Sequence, residues 1–236
     1  MSTGRLFLIP TVIADDTHKQ VIPPHVISIL PTIQYFLVEN VRTARRFLSS
    51  LKVYEKIDEL QFEVLNKDTN AAELKALFLP VFAGQSVGVM SESGCPGVAD
   101  PGALAVKYAH DHDIEVIPLV GPSSVLLALM SSGLNGQRFA FHGYLPIAAP
   151  DLTREIKALE KESRMRNQTQ IFIETPYRNN NMMNTLLRTL HSDTHLSVAL
   201  DLTGQNQSVK TFTVQKWREV KIEFPKLPAV FLFLAS

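Results

Sequence analysis

The feature that most limits what this chain can become is a regular alternation. Short apolar runs of strand length recur through its 236 residues, and helical patterns lie between them. In the first half, Arg5–Ile9, Ile33–Val38, Ser86–Met90 and Glu115–Leu119 read as strands, the last ending at its own Pro118. Val41–Leu51, Asn70–Leu79, Gly102–His112 and Ser123–Leu134 read as helices. Val41, Ala44, Phe47, Leu48 and Leu51 recur at steps of three or four and make one apolar stripe. Asn70 suits an N-cap, and Gly133 a helix stop. The second half repeats the theme. Phe139–Tyr144, Thr169–Glu174, Leu196–Leu200, Val209–Val214 and Ala229–Leu234 read as strands, and Asp151–Ser163, Asn180–Leu190 and Gln215–Val220 as helices. Strands alternating with helices predict an α/β protein built from layers. The stretch PLVGPSS breaks the pattern near Leu119–Ser123. The expected domains are therefore 1–119 and 120–236, two αβα halves with a cleft between them.

Composition sets the outer limits. Hydrophobic residues make up 45% and charged residues 19%, which excludes a disordered chain. The 23 Lys+Arg balance 23 Asp+Glu, so the chain does not coat nucleic acid wholesale, although a neutral body can carry a local basic face. The lone Cys95 excludes a disulfide framework and a Cys-rich zinc site, and fits a reducing compartment. No stretch approaches the ~20 apolar residues of a membrane span. The opening MSTGRLFLIPTVIADD has no signal-peptide core or cleavage site. The expectation is a soluble cytoplasmic protein with no membrane partner.

Several chemical signatures are missing. There is no G-x-G-x-x-G, no phosphate-binding G-x-x-x-x-G-K-[ST] and no H-E-x-x-H. His110 and His112, two apart on a helix end, face away from each other, so no metal is expected. Gly84–Gly88 matches G-x-S-x-G, but a nucleophile elbow needs a strand before its serine and a helix after it. Around Ser86 the order is reversed.

The informative segment is SESGCPGVADPG, Ser91–Gly102. It places three Gly and two Pro in twelve residues directly after an expected strand. Such a loop has a specified shape and exposes backbone polar groups, at the strand end where open α/β sheets bind ligands. VGPSS, Val120–Ser124, likewise follows a strand and opens a helix, whose free amides and hydroxyls suit a polar ligand. Arg42, Arg45 and Arg46 share the helix face opposite the apolar stripe and, with Lys52, make a basic patch suited to phosphates. The charges of Arg154–Arg166 alternate with glutamates and are explained by pairing along a helix.

Taken in order, SESGCPGVADPG, PLVGPSSVLLAL, FAFHGYLP and IFIETPYR resemble the small-subunit ribosomal RNA methyltransferase I family, among the tetrapyrrole-methylase-like enzymes (class III methyltransferases). LFLIPTVI and VENVRTARRFL match that family's opening strand and its acidic-plus-Arg motif. The resemblance spans nearly the whole chain. It implies two αβα domains with S-adenosylmethionine in the interdomain cleft, in a homodimer. It places Pro10 and Ile13 in the first cofactor loop and Ser93, Gly94, Cys95 and Val98 in the second. Ser123 and Ser124 fall at the following helix start, and Thr175, Leu200, Pro228 and Ala229 on loops holding the adenosine. On the substrate side it implies RNA of the small ribosomal subunit, met by Arg42, Arg45, Arg46, Tyr177 and Arg178. Methylation of a ribose 2′-hydroxyl needs a proton acceptor, with Glu39 and Glu174 as the candidates. The chain departs from the family where AEDTR reads VENVR, where Ser-Asp reads Ser91-Glu92, where Ala14 stands for the usual Gly after Ile13, and where Arg-Glu-Leu-Thr reads LDLT, ending in Thr203. These departures leave two alternatives, a tetrapyrrole-like small-molecule methylase of the same fold and a noncatalytic cofactor-binding paralogue.

Overall fold

The computed structural model describes residues 3–221 and 223–235. The chain divides into two compact units, Met1–Ser123 and Ser124–Ser236, a few residues beyond the expected boundary.

The first unit holds β1 (Leu6–Ile9), α1 (His18–Val21), α2 (Pro24–Ile29), β2 (Tyr35–Val38), α3 (Val41–Leu51), β3 (Gln61–Val64), α4 (Ala71–Leu77), α5 (Leu79–Phe82), β4 (Val87–Met90), α6 (Gly102–Asp111) and β5 (Val116–Pro118). Its five strands are all parallel, in the order β3-β2-β4-β1-β5. Alternate side chains feed opposite faces. Phe7, Ile9, Phe36 and Val38 pack with Val26, Leu30, Ala44, Phe47 and Leu48 from α2, α3 and the turn between α2 and β2. Leu6, Tyr35, Leu37, Val87 and Val89 pack with Leu74, Phe78, Val81, Ala105 and Ala109 from α4 to α6. Both faces of a parallel sheet are thus covered, which its crossover helices require. Burying Phe47 and Leu48 contributes about 1.5–3 kcal/mol each to holding α3 on the sheet.

The helix expected over Asn70–Leu79 is two helices. Asn70 and Glu73 form a reciprocal capping box, and α4 stops at Phe78 because Pro80 removes a backbone donor and opens α5 instead. α1 and α2 are each under seven residues, with Pro23 and Pro24 opening α2, and too short to show a helical period in the sequence. β3 is an edge strand whose QFEV is mostly exposed and shows no apolar run.

The second unit holds α7 (Ser124–Ser132), β6 (Phe139–Tyr144), α8 (Ala149–Arg166), β7 (Thr169–Glu174), α9 (Asn179–Thr189), β8 (His195–Leu200), β9 (Ser208–Thr213), α10 (Val214–Glu219) and β10 (Ala229–Leu234). Its sheet is mixed, in the order β6-β7-β10-β8-β9, with β10 antiparallel to both neighbours. Phe172, Leu196, Val198, Phe231 and Phe233 face α8 to α10, while Ile171, Ala199, Val230 and Leu232 face α7. Both units are αβα sandwiches. No helix among the described residues is long and apolar enough to cross a membrane.

Candidate functional site

In a parallel sheet every strand ends at the same edge, so the loops after β1, β2, β4 and β5 emerge together. Register fixes which ones touch. Ile9 and Val38 both lie opposite Met90, and Leu8 lies opposite Pro118. The loops are then tied to one another. The Thr11 amide donates to the Gly94 carbonyl at 2.9 Å. The Cys95 thiol donates toward the Pro122 and Gly121 carbonyls at 3.3 and 3.7 Å. Gly121 passes so close to Pro10 that an added Cβ would lie 2.0 Å from the proline Cβ. Gly94 adopts φ +75°, a conformation glycine takes at little cost.

Pro10, Gly94 and Cys95 thus lie at one end of the first sheet, with Ile13, Ser93 and Ser123 on the same loops. Val98 is half exposed farther along the SESGCPGVADPG segment. Ser124 opens α7 in the second unit. The Cys95 thiol pins its own loop to the loop after β5. Burial, and then the charge of Asp100, push that thiol above the ordinary range. It is therefore a neutral donor rather than a nucleophile.

Asp100 is a residue the motifs did not single out. One carboxylate oxygen accepts from the Gly97 and Gly102 amides at 2.9 and 2.6 Å. The other is buried with no partner among the described residues. A Cβ at Gly102 would come 2.7 Å from the engaged oxygen. The two flanking glycines of the motif therefore serve the aspartate, a signal visible in the spacing of GVADPG.

Glu39 follows β2 directly, is half-buried, and accepts the Glu92 amide at 2.8 Å. Its carboxyl is raised above the usual carboxylate range, chiefly by burial. The Glu92 amide pulls it down, while the charges of Asp100 and Glu92 push it further up. Glu174 is placed differently. Its side chain is 1% exposed, and both oxygens are engaged, one by the Thr175 amide at 2.7 Å and the other by Arg178 at 3.0 Å. Glu174 and Arg178 therefore shape the turn after β7, with Glu174 buried and Arg178 a quarter exposed. Tyr177 is 81% exposed, with the Lys226 ammonium over its ring.

The basic helix begins at Asn40, whose amide oxygen accepts the Arg42 and Thr43 amides. The VENVR substitution of Asn for Asp therefore keeps the cap. All three arginines are exposed, but they are not equivalent. Arg45 pairs with Asp58 and lies over the Phe62 ring, and Arg46 pairs with Asp15 at 3.3 Å. Arg42 has no side-chain partner among the described residues. Beside α3 a cavity of about 320 Å³ is walled by the turn after β1, by Thr43–Ser50 and by Ser91 and Glu92.

In the second unit, the start of β10 lies between the ends of its neighbours. Ala229 is opposite Glu174 on one side and Leu200 on the other. Thr175, Leu200, Pro228 and Ala229 therefore gather at one end of that sheet. Buried Asn179 ties the Leu227 carbonyl to α9, and the Asp201 amide donates to the Pro228 carbonyl. The LDLT departure ends in Thr203 at φ +70°, a conformation that is costly for a β-branched residue. Its hydroxyl is buried without a partner among the described residues. No group of three or more metal-ligating side chains lies together among the described residues.

Comparison with known proteins agrees with this architecture. The family model for tetrapyrrole (corrin/porphyrin) methylases matches residues 22–217. Ribosomal RNA small subunit methyltransferase I of Buchnera aphidicola (from Acyrthosiphon pisum) is 25% identical over 91% of this chain and 73% of its own length. The protein of the same name from Synechocystis is 29% identical over 81% and 66%, and that from Streptococcus pyogenes serotype M6 30% over 79% and 61%. The chain thus spans roughly two thirds of the length of these relatives. Among solved structures, the methyltransferase CobJ superposes with a TM-score of 0.62 at 15% identity, covering 99% of this chain and 95% of that one. Uroporphyrin-III-C-methyltransferase from Thermus thermophilus gives 0.56 at 16%, covering 98% and 92%. The tied loops at the first sheet's edge and the two αβα units are those of a chain that belongs to the tetrapyrrole methylase family, enzymes that take their methyl group from S-adenosylmethionine.

Proposed function

We propose that this protein transfers a methyl group from S-adenosylmethionine to RNA, at a ribose 2′-hydroxyl of the small ribosomal subunit. The observation that carries the RNA reading is the shared name of the curated relatives, which match over most of the chain. Arg42, exposed at the head of α3 and without a side-chain partner among the described residues, supports it, because a phosphate needs a free cation. Arg45 and Arg46 already carry partners, so they reach a phosphate only by leaving them.

The residues present fit the cofactor. A sulfonium with an amino-acid tail calls for oxygen acceptors and close backbone approach. The first unit offers carbonyl-rich loops locked at Gly94 and Gly121. Pro10, Ile13, Ser93, Gly94, Cys95 and Val98 would take the methionine part, and Ser123 and Ser124 would add hydroxyls. Thr175, Leu200, Pro228 and Ala229 would take the adenosine. When bound, S-adenosylmethionine supplies an electrophilic methyl group. Glu39 is the proton acceptor we favour over Glu174, whose oxygens are both occupied. A carboxylate with a raised pKa is a better base near neutral pH than an ordinary one. A homodimer is part of the same proposal, and it rests on the family resemblance alone.

The test is a methyl-transfer assay with labelled cofactor on ribosomal subunits from a strain lacking the protein. Label in small-subunit RNA, mapped to a 2′-O-methyl by nuclease resistance, is the expected result. Label only in small molecules sinks the RNA reading. Cofactor binding without any transfer would leave a binding module. Sedimentation at micromolar concentration tests the dimer.

A further inference from the structure

Asp100 does more than its two backbone bonds explain. One carboxylate oxygen takes the Gly97 and Gly102 amides, and Gly102 is the first residue of α6. A Cβ at Gly102 would strike that oxygen at 2.7 Å and the Gly97 nitrogen at 2.9 Å, so the glycine is needed on two counts. The carboxylate is thereby fixed in place. Its second oxygen is shut off from solvent and has no partner among the described residues. A buried acceptor left idle costs free energy unless something else engages it.

The surrounding loops do not neutralise it. Those after β1, β4 and β5 run PTVIADDT, SESGCPGVADP and LVGPS, without a Lys, Arg or His. Basic groups belong to the flanking helices: His18 of α1, Arg42, Arg45 and Arg46 of α3, and Lys107 of α6. Arg45, Arg46 and Lys107 are paired with Asp58, Asp15 and Asp111. Asp15, Asp16 and Glu92 share these loops but are exposed, so water and salt screen them. The buried oxygen of Asp100 is not screened in this way. Its charge is felt on two sides. Burial first, and then Asp100, raise the Cys95 thiol. Burial raises the Glu39 carboxyl, the Glu92 amide lowers it, and the charges of Asp100 and Glu92 raise it further.

We propose that Asp100 is the fixed counter-charge for the sulfonium of S-adenosylmethionine, selecting the charged methyl donor over its neutral demethylated product. This rests on the placement of the cofactor in the first unit's loops. Donor and product share the ammonium, the carboxylate and the adenosine. They differ only in the methyl group and the positive charge it puts on sulfur. A carboxylate in a low-dielectric setting attracts that charge across several ångströms far better than a solvated one. When the methyl bonds to the substrate oxygen, sulfur keeps the pair of the broken bond and becomes a neutral thioether, and the oxygen's proton passes to Glu39. Asp100 then has no cation to hold, which favours release of the product.

The experiment is titration calorimetry of the full chain with S-adenosylmethionine, with S-adenosylhomocysteine, and with sinefungin, which carries an ammonium-bearing carbon in place of the sulfonium. Wild type is expected to bind the two cationic ligands about 10-fold more tightly than S-adenosylhomocysteine. Asp100→Asn is expected to bring that ratio below about 3-fold, through weaker binding of the two cations alone. Asparagine retains an oxygen for the Gly97 and Gly102 amides, and circular dichroism checks that the variant folds. Equal losses for all three ligands would reduce Asp100 to a loop-shaping role and overturn the proposal. Equal wild-type affinities for all three overturn it even where the variant does not fold. Wild type that binds none of them overturns the placement of the cofactor as well.

Discussion

The two sheets build their functional ends by different rules. The first is wholly parallel, so each strand points the same way and each loop after a strand arrives at one edge. Motifs written after strands in the sequence are therefore neighbours in space, and SESGCPGVADPG and VGPSS meet the first loop because they must. The second sheet has an antiparallel strand at its centre. There the loops after β7 and β8 meet the loop before β10. Adjacency depends on register, which hydrophobic pattern alone does not number. In a parallel sheet, loop chemistry can be read one segment at a time. In a mixed sheet it can be read only after pairing is known.

The sharpest way to break this contrast is through two glycines. Gly121→Ala would press a Cβ onto the Pro10 ring at 2.0 Å, with rigid groups on both sides. We expect at least a 100-fold loss of S-adenosylmethionine affinity by calorimetry, or failure to fold. Gly204→Ala meets the Asp201 carboxylate at 2.2 Å, a side chain that can yield by giving up its bond to the Asn206 amide, whereas the Pro10 ring cannot. A loss under about 10-fold, or under about 1.4 kcal/mol, is expected there. Equal losses would mean that the second unit's loops are as locked as the first's.

The two glutamates come next. Glu39→Gln should lower the turnover rate by about 100-fold or more while cofactor affinity holds. Glu174→Gln should instead weaken a buried ion pair, lowering stability by about 2 kcal/mol with a visible fall in melting temperature. A reversal of these phenotypes would return Glu174 to the chemistry. The pH dependence follows from the raised carboxyl of Glu39. Only its ionised form accepts a proton, and that form appears at higher pH than for a free glutamate. The acidic limb of the rate profile should thus lie above the usual carboxylate range. Glu92→Gln removes one repelling charge, so the limb should move to lower pH. A limb that stays in place would show that Glu92 does not act on Glu39.

Smaller effects remain. Arg42→Ala should weaken RNA binding and reduce its salt slope by about one unit, with cofactor affinity unchanged. Arg45→Ala should do less, since that side chain is held by Asp58. Cys95→Ser keeps a donor to the Gly121 and Pro122 carbonyls and should bind cofactor within about 3-fold of wild type, because the replaced bond is worth about 1 kcal/mol. A large loss would give the sulfur itself a role.

Much of the fold was legible because its strands are short apolar runs bounded by turn residues, and α3 carries its stripe and its Asn40 cap openly. β3 was hidden because an edge strand such as QFEV buries too little to show a pattern. The break at Phe78 was written in Pro80 but outweighed by the periodicity around it. In the site, the loop motifs were readable. The pairing of Arg45 and Arg46 was not, because Asp58 and Asp15 lie 13 and 31 positions away. The occupied oxygens of Glu174 needed the turn that brings Arg178 back.

The bonds from Thr11 to Gly94 and from Cys95 to Gly121 and Pro122 have a thermodynamic consequence. Three chain segments that would otherwise fluctuate separately are already fastened before any ligand arrives. Ligand capture then surrenders little motional freedom, and more of the contact free energy survives as affinity. Amide hydrogens of Thr11 and its neighbours should exchange slowly in the empty protein and change little on cofactor addition.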